Sequence, residues 1–393
     1  MKLLPQDALL GITKAFAEDS RALKIDLGVG VFRDAENRTP VLKAVKTGER
    51  RLLEAQTTKT YTRPEGAPGF PEAIARLLLG ENHGALRDAR CAAVQTVGGC
   101  GALRLGAELL RRAEARAIHI GSPTWPNHHP LLSAAGHKIE MIPYYDATKR
   151  RIEFAAFLAA IKQLGPTDAL LLHGPCHNPT GADLARDEID AIIDCAERQG
   201  FLPIIDMAYH GFAGSLDEDA YMAREMARRA PEVVISYSCS KNFGLYRERT
   251  GALIVVGESA ERANALRSHL LNLARGSYSM PPAHGGAIVA EILNSAELTK
   301  AWRDELAGMR NAIKESRRLL ARTAAEMQMG DGLAYLERQN GMFSLLPLSD
   351  AQVAEMRAKH GVYLAGSGRI NLCGVNARNV AQLCEGLRDV MGR

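Results

Sequence analysis

Between residues 101 and 257 short apolar runs alternate with amphipathic helical stretches, and that alternation limits the available folds more than any other feature. The runs are AIHIG (117–121), DALLLHG (168–174), FLPIID (201–206), VVISYS (233–238) and GALIVVG (251–257). Each has the length of a buried strand. Between them lie helical stretches at 101–113, 152–164, 186–199 and near 219–229. In the second, Phe154, Phe157, Leu158, Ile161 and Leu164 fall at i, i+3, i+4, i+7 and i+10, one face of a helix. Apolar strands separated by helices predict a parallel sheet covered on both faces. The pattern ends near residue 290. Residues 296–327 then read as one long charged helix, and 341–393 as an α+β module. That module holds two strands, GMFSLL and RINLC, and helices at 350–359 and 376–391. A chain of 393 residues exceeds the roughly 250–300 that one core supports, so two units are expected. No Ser/Gly-rich linker separates them, which predicts a shared interface.

Composition removes several functions. Forty-nine Lys+Arg against 45 Asp+Glu leave a net charge of +4, too weak to argue for nucleic-acid binding, so any anion site must be local. The amino terminus, MKLLPQDALLGITKAFAEDS, carries Asp7 where a signal peptide needs an unbroken apolar stretch. No uncharged apolar run reaches the roughly 18–20 residues that span a bilayer. Seven scattered cysteines with no C-x-x-C pair read as free thiols in a reducing compartment, the cytoplasm. His128-His129 lacks the companions of a metal site, and no metal is expected.

Four features carry chemistry. Asp206 ends FLPIID, at the strand end where open α/β sheets place ligands. Lys241 follows VVISYS, beside Ser238 and Ser240. A crevice amine opposite a carboxylate suits imine chemistry. Read singly, Asp206 also fits a helix cap, and Lys241 a solvated loop charge. Gly98-Gly99-Cys100-Gly101 precedes a predicted helix, whose free N–H groups suit a phosphate, although a plain turn fits equally. It is neither a dinucleotide fingerprint nor a P-loop. Trp125, one of two tryptophans, follows a strand and would cover a planar ligand or pack in the core.

Together these residues resemble a known family. Ser238-Cys239-Ser240-Lys241-Asn242-Phe243-Gly244-Leu245-Tyr246 and Arg247-Glu248-Arg249-Thr250-Gly251 resemble the pyridoxal-phosphate lysine motif of class I aminotransferases, best the aspartate/aromatic amino-acid subgroup. His177-Asn178-Pro179-Thr180-Gly181, Asp206-Met207-Ala208-Tyr209 and Ser367-Gly368-Arg369-Ile370-Asn371 are similar to further motifs of that family, in order, from about Asp26 to the C-terminus. The resemblance implies fold type I. A large domain (41–307) holds a mostly parallel seven-stranded sheet between helices. Residues 1–40 and 308–393 form an N-terminal arm and a smaller α+β domain.

The resemblance also implies roles. Lys241 would carry pyridoxal 5'-phosphate and later move a proton at the substrate Cα, with Asp206 and Tyr209 as catalytic partners. Asp206 would hold the pyridine nitrogen protonated, with His128 beside it. Tyr209 and Asn178 would bond the phenolic oxygen, and Trp125 would stack on the ring. Gly99, Cys100, Ser238 and Arg249 would hold the phosphate, joined by Tyr61 of a partner subunit. Arg369 would fork onto the substrate α-carboxylate, helped by Asn178, Trp125 and the backbone of Gly30. Arg275 from the partner would meet a distal carboxylate. The expected protein is a homodimer with shared sites, moving an amino group from an aromatic amino acid, aspartate or both to 2-oxoglutarate by a ping-pong route. Alternatives are an unusual amino donor, a lyase or decarboxylase on the same fold, and a non-catalytic binder. Cys100 stands where the family usually has Thr or Ser, His210 where Gln is usual, and Met280 where some members have Asn. Thr62-Arg63-Pro64-Glu65 and Gly174-Pro175-Cys176 also depart from the family pattern. These departures leave substrate preference open.

Overall fold

The computed structural model describes residues 8–392, so the reading of the amino terminus through Asp7 lies outside the described residues. Seven strands form the central sheet: β1 (Cys91–Val97), β2 (Ala117–Ser122), β3 (Lys138–Pro143), β4 (Asp168–His173), β5 (Leu202–Met207), β6 (Val233–Ser238) and β7 (Thr250–Val256). Their spatial order is β1-β7-β6-β5-β4-β2-β3. The pairings from β3 through β6 are parallel, whereas β7 runs antiparallel to both β1 and β6. The odd strand has a local cause. Only residues 239–249 join β6 to β7, with no crossover helix, and a parallel return needs a crossover of about a dozen residues or more.

Both faces of this sheet are buried, as continuous apolar strands require. Leu170, Leu172, Ile205, Ile235 and Ile254 enter one apolar cluster, while their neighbours Leu171, Ile204, Val234 and Val255 enter another. The second cluster is closed by helix α1 (Gly98–Arg112) and helix α2 (Ala260–Ser277). Helix α3 (Ala296–Glu326) crosses from the first cluster, at Trp302 and Leu306, into a third at Leu320 and Ala324. The third cluster joins Ile25 and Leu27 to residues between Met329 and Val390. In it Ile25–Asp26 pairs in parallel with Val362–Tyr363, and Phe343–Leu345 pairs antiparallel with Arg369–Asn371.

Several boundaries differ from the sequence reading. α1 starts at Gly98, so the expected turn is the first turn of the helix itself. The amphipathic helix expected over 152–164 is Phe154–Ile161, which leaves Leu164 beyond its end. The last helix is Val380–Met391, because Asn376 and Asn379 hydrogen-bond each other in a turn before it. Among the described residues, no helix is long and apolar enough to cross a membrane.

Candidate active site

The register of the sheet brings the chemistry together. Asp206 in β5 lies opposite His173 of β4 and Ser236 of β6, and Lys241 emerges three residues beyond the end of β6. A cavity of about 230 Å3 opens at these strand ends. All the sequence-derived site residues except two line it: Gly30, Gly99, Cys100, Trp125, Asn178, Asp206, Tyr209, Ser238, Lys241, Arg249 and Arg369. Tyr61 and Arg275 do not join them within one chain. Tyr61 is 91% exposed and belongs to a separate surface depression. Arg275, exposed in the last turn of α2, hydrogen-bonds Ser279.

The carboxylate and the amine are held differently. His128 Nε2 is 3.2 Å from Oδ2 of Asp206. Burial alone would raise the Asp206 carboxyl, but the His128 contact and nearby positive charge outweigh it and hold it below its ordinary value. His128 Nδ1 and His173 Nε2 both lie 2.8 Å from the Thr124 hydroxyl, which fixes the ring orientation. The Lys241 side-chain amine, by contrast, makes no hydrogen bond among the described residues. Its Nζ lies 5.3 Å from the centre of the Tyr209 ring. Burial pulls its amine below the ordinary lysine value, and Arg249 and Arg369 add to the effect while Asp206 opposes it. Burial raises the Tyr209 phenol, so that group keeps its proton and is a donor.

The two ends of the cavity are cationic. At one, the first turn of α1 faces Arg249 and Ser238. Gly98 has φ +66°, and a Cβ there would meet Arg249 Nη2 at 2.6 Å, so glycine permits the close approach. Arg249 is itself fixed by a 2.9 Å bond to the Tyr246 carbonyl. Helix N–H groups, a hydroxyl and a guanidinium make an anion cradle. At the other end Arg369 is buried, donating to Gly28 O at 2.9 Å and to Asn178 Oδ1 at 3.3 Å. Its Nε is buried without a partner among the described residues, and burial lowers its pKa. A buried guanidinium with no carboxylate is a costly arrangement that an incoming anion would relieve.

The lining residues that the sequence reading did not name as site residues include His173, Cys176 and Phe343. The strand-end logic that selected Asp206 also applies to His173, the last residue of β4. Phe343 carried no such signal. Its ring lies 4.4 Å beneath the Arg369 guanidinium and meets the Tyr209 ring edge-on at 6.0 Å. Arg317 of α3 sets this position. It donates to the carbonyls of Leu336, Asn340, Gly341 and Phe343 and to the Ser344 hydroxyl, which organises the segment that carries Phe343. Among the described residues, no group of three or more His, Cys, Asp or Glu side chains could hold a metal ion.

A doubly covered α/β sheet with a lysine, a carboxylate and two anion sites at its strand ends defines an enzyme of amine chemistry on anionic substrates. Residues 22–387 match the family described as aminotransferase class I and II, and the chain belongs to that family. It is 44% identical to the aromatic-amino-acid aminotransferase of Pseudomonas aeruginosa, over 98% of this chain and 97% of that protein. Against the aspartate aminotransferase of Haemophilus influenzae it is 39% identical, over 100% and 99%. Among solved structures, the aromatic-amino-acid aminotransferase of Burkholderia pseudomallei covalently bound to pyridoxal phosphate superposes with a TM-score of 0.96. That pair is 36% identical, covering 99% of this chain and 98% of the other.

Proposed function

We propose that this aminotransferase uses pyridoxal 5'-phosphate to move an amino group from an aromatic amino acid, aspartate or both to 2-oxoglutarate. One observation carries the reading. A lysine amine that has no hydrogen bond among the described residues shares a cavity with a held carboxylate, an anion cradle and a buried arginine whose Nε has no partner among those residues. Those groups fit the cofactor: the cradle suits its phosphate, Asp206 its ring nitrogen, and the half-buried Trp125 a planar ring. When bound, pyridoxal phosphate supplies a carbonyl that accepts an amino group and a ring that withdraws electrons from the substrate Cα.

The chain's residues do the rest. Lys241 presents an amine that burial keeps readily uncharged, first to hold the cofactor and then to move a proton at the substrate Cα. Asp206, fixed by His128, keeps a proton on the ring nitrogen. Tyr209 and Asn178 donate to the ring oxygen. Gly99, Cys100, Ser238 and Arg249 bind the phosphate. Arg369 binds the α-carboxylate beside Gly30, Asn178 and Trp125. The exposure of Tyr61 and Arg275 supports a homodimer in which each reaches the partner's cavity, Tyr61 to the phosphate and Arg275 to a distal carboxylate. A large domain at 41–307 and a discontinuous small one (1–40 with 308–393) agree with the separate third apolar cluster. Free cysteines agree with a cytoplasmic protein.

A donor panel tests the substrate assignment. Phenylalanine, tyrosine and aspartate are each incubated with 2-oxoglutarate, and glutamate and the matching 2-oxo acid are measured. Equal amounts of both products are expected from at least one of these donors. Release of ammonia or CO2, or turnover of none of the three, would overturn the reading.

A further inference from the structure

We propose that His210, Tyr237 and Asn242 form a buried strut that positions the Lys241 amine in the cavity. The strut ties together the neighbours of two cavity residues. His210 follows Tyr209, and Asn242 follows Lys241. Between them stands Tyr237, next to last in β6. Its hydroxyl lies 2.9 Å from His210 Nδ1 and 2.9 Å from Asn242 Nδ2. The other ring nitrogen, His210 Nε2, is 2.7 Å from the Leu216 carbonyl. A carbonyl only accepts, so Nε2 carries the proton and Nδ1 accepts from the phenol. The phenol in turn accepts from the Asn242 amide. Each of these contacts pairs one donor with one acceptor.

All three side chains are fully buried. Burial lowers His210 to about 4 and raises Tyr237 well above its ordinary value, so both stay neutral through the working range. The main chain after Lys241 is held as well. The Asn242 carbonyl accepts from the Trp302 indole at 2.8 Å, and the Phe243 and Trp302 rings stack at 4.4 Å. Stability alone does not account for an amide at 242. Its Oδ1 is buried with no partner among the described residues, a costly state that an apolar side chain would avoid. Position accounts for it better. The Lys241 amine has no hydrogen bond of its own among the described residues, so the backbone beneath it decides where it stands among Asp206, Tyr209, Cys100, Arg249 and Arg369.

The inference rests on Lys241 holding pyridoxal phosphate, as proposed above, and the test separates the two claims. The pH midpoint of the visible cofactor absorbance is titrated in wild type, H210F, Y237F, the double variant and H210Q, with Tm and kcat recorded beside it. H210F and Y237F are each expected to shift the midpoint by about half a unit or more and to lower kcat roughly tenfold, as small misplacements do. The double variant should shift no further than either single one. H210Q should restore the wild-type midpoint, since its amide oxygen accepts from Tyr237 and its N–H donates to Leu216. An unchanged midpoint in Y237F, with only Tm lowered, overturns the strut. So does an H210Q midpoint displaced as far as that of H210F. Where H210F does not fold, Y237F, which removes a single oxygen, decides. A wild type without any visible band sinks the cofactor assignment instead.

Discussion

Replacing Lys241 with alanine is expected to lower aminotransferase activity by at least about 10⁴-fold and to remove the pH-dependent visible absorbance of the bound cofactor. The magnitude follows from two tasks assigned to one amine, holding the cofactor and moving the proton at Cα. Among the described residues no other lysine lines the cavity to take over either task. The fold should survive. The Lys241 side chain contributes no hydrogen bond among the described residues, and burial disfavours its charged form, so its pKa lies below the unfolded value. A lysine with a depressed folded pKa opposes folding at any pH where the unfolded chain carries the ammonium. Alanine removes that opposition, and the Tm of the cofactor-free protein near neutral pH should be equal or higher. Steady-state rates, absorbance spectra and thermal melts check the three parts. Substantial turnover by the alanine variant would show that the amine is not the reacting group.

Arg369→Lys is expected to raise KM for the amino acid and to lower kcat/KM while leaving the cofactor absorbance in place. Arg369 already uses two N–H groups to hold itself, on Gly28 and Asn178, and its planar fork aims the rest at the cavity over Phe343. Lysine offers a point charge that cannot make those anchors and a forked contact together. Removing one partner of a buried, hydrogen-bonded charge pair costs about 2–5 kcal/mol, which corresponds to roughly 30- to 4,000-fold in kcat/KM. Initial rates over a range of donor concentrations measure it. An unchanged kcat/KM would place the carboxylate elsewhere.

Local pattern made part of this site legible. Asp206 and Lys241 stand at the ends of short apolar runs, and two-sided burial makes such runs visible in one dimension. Two strands of the same sheet were not visible. β1 (CAAVQTV) is interrupted by Gln95 and Thr96, yet both are fully buried. The Gln95 side chain is satisfied by contacts at Ala67 and Pro282, far away in sequence. β3 (KIEMIP) is an edge strand with exposed Lys138, whose polar residues mask its period. The reversal of β7 became clear only with its short connection. Phe343 illustrates the general limit. Its place under Arg369 depends on Arg317 gathering carbonyls from residues 336 to 343, and nothing near Phe343 in the sequence encodes that. The same holds for His210 and Tyr237, which meet only because β5 and β6 are neighbours.

The most direct measurement of the central claim is made on the loaded wild-type enzyme. Borohydride reduction fixes the cofactor to whichever amine holds it, and peptide mass spectrometry then locates the label. The label should fall on Lys241, in the peptide that contains Ser238 to Tyr246, and on no other lysine. A label on a different lysine, or loaded enzyme that yields no labelled peptide, would contradict the assignment.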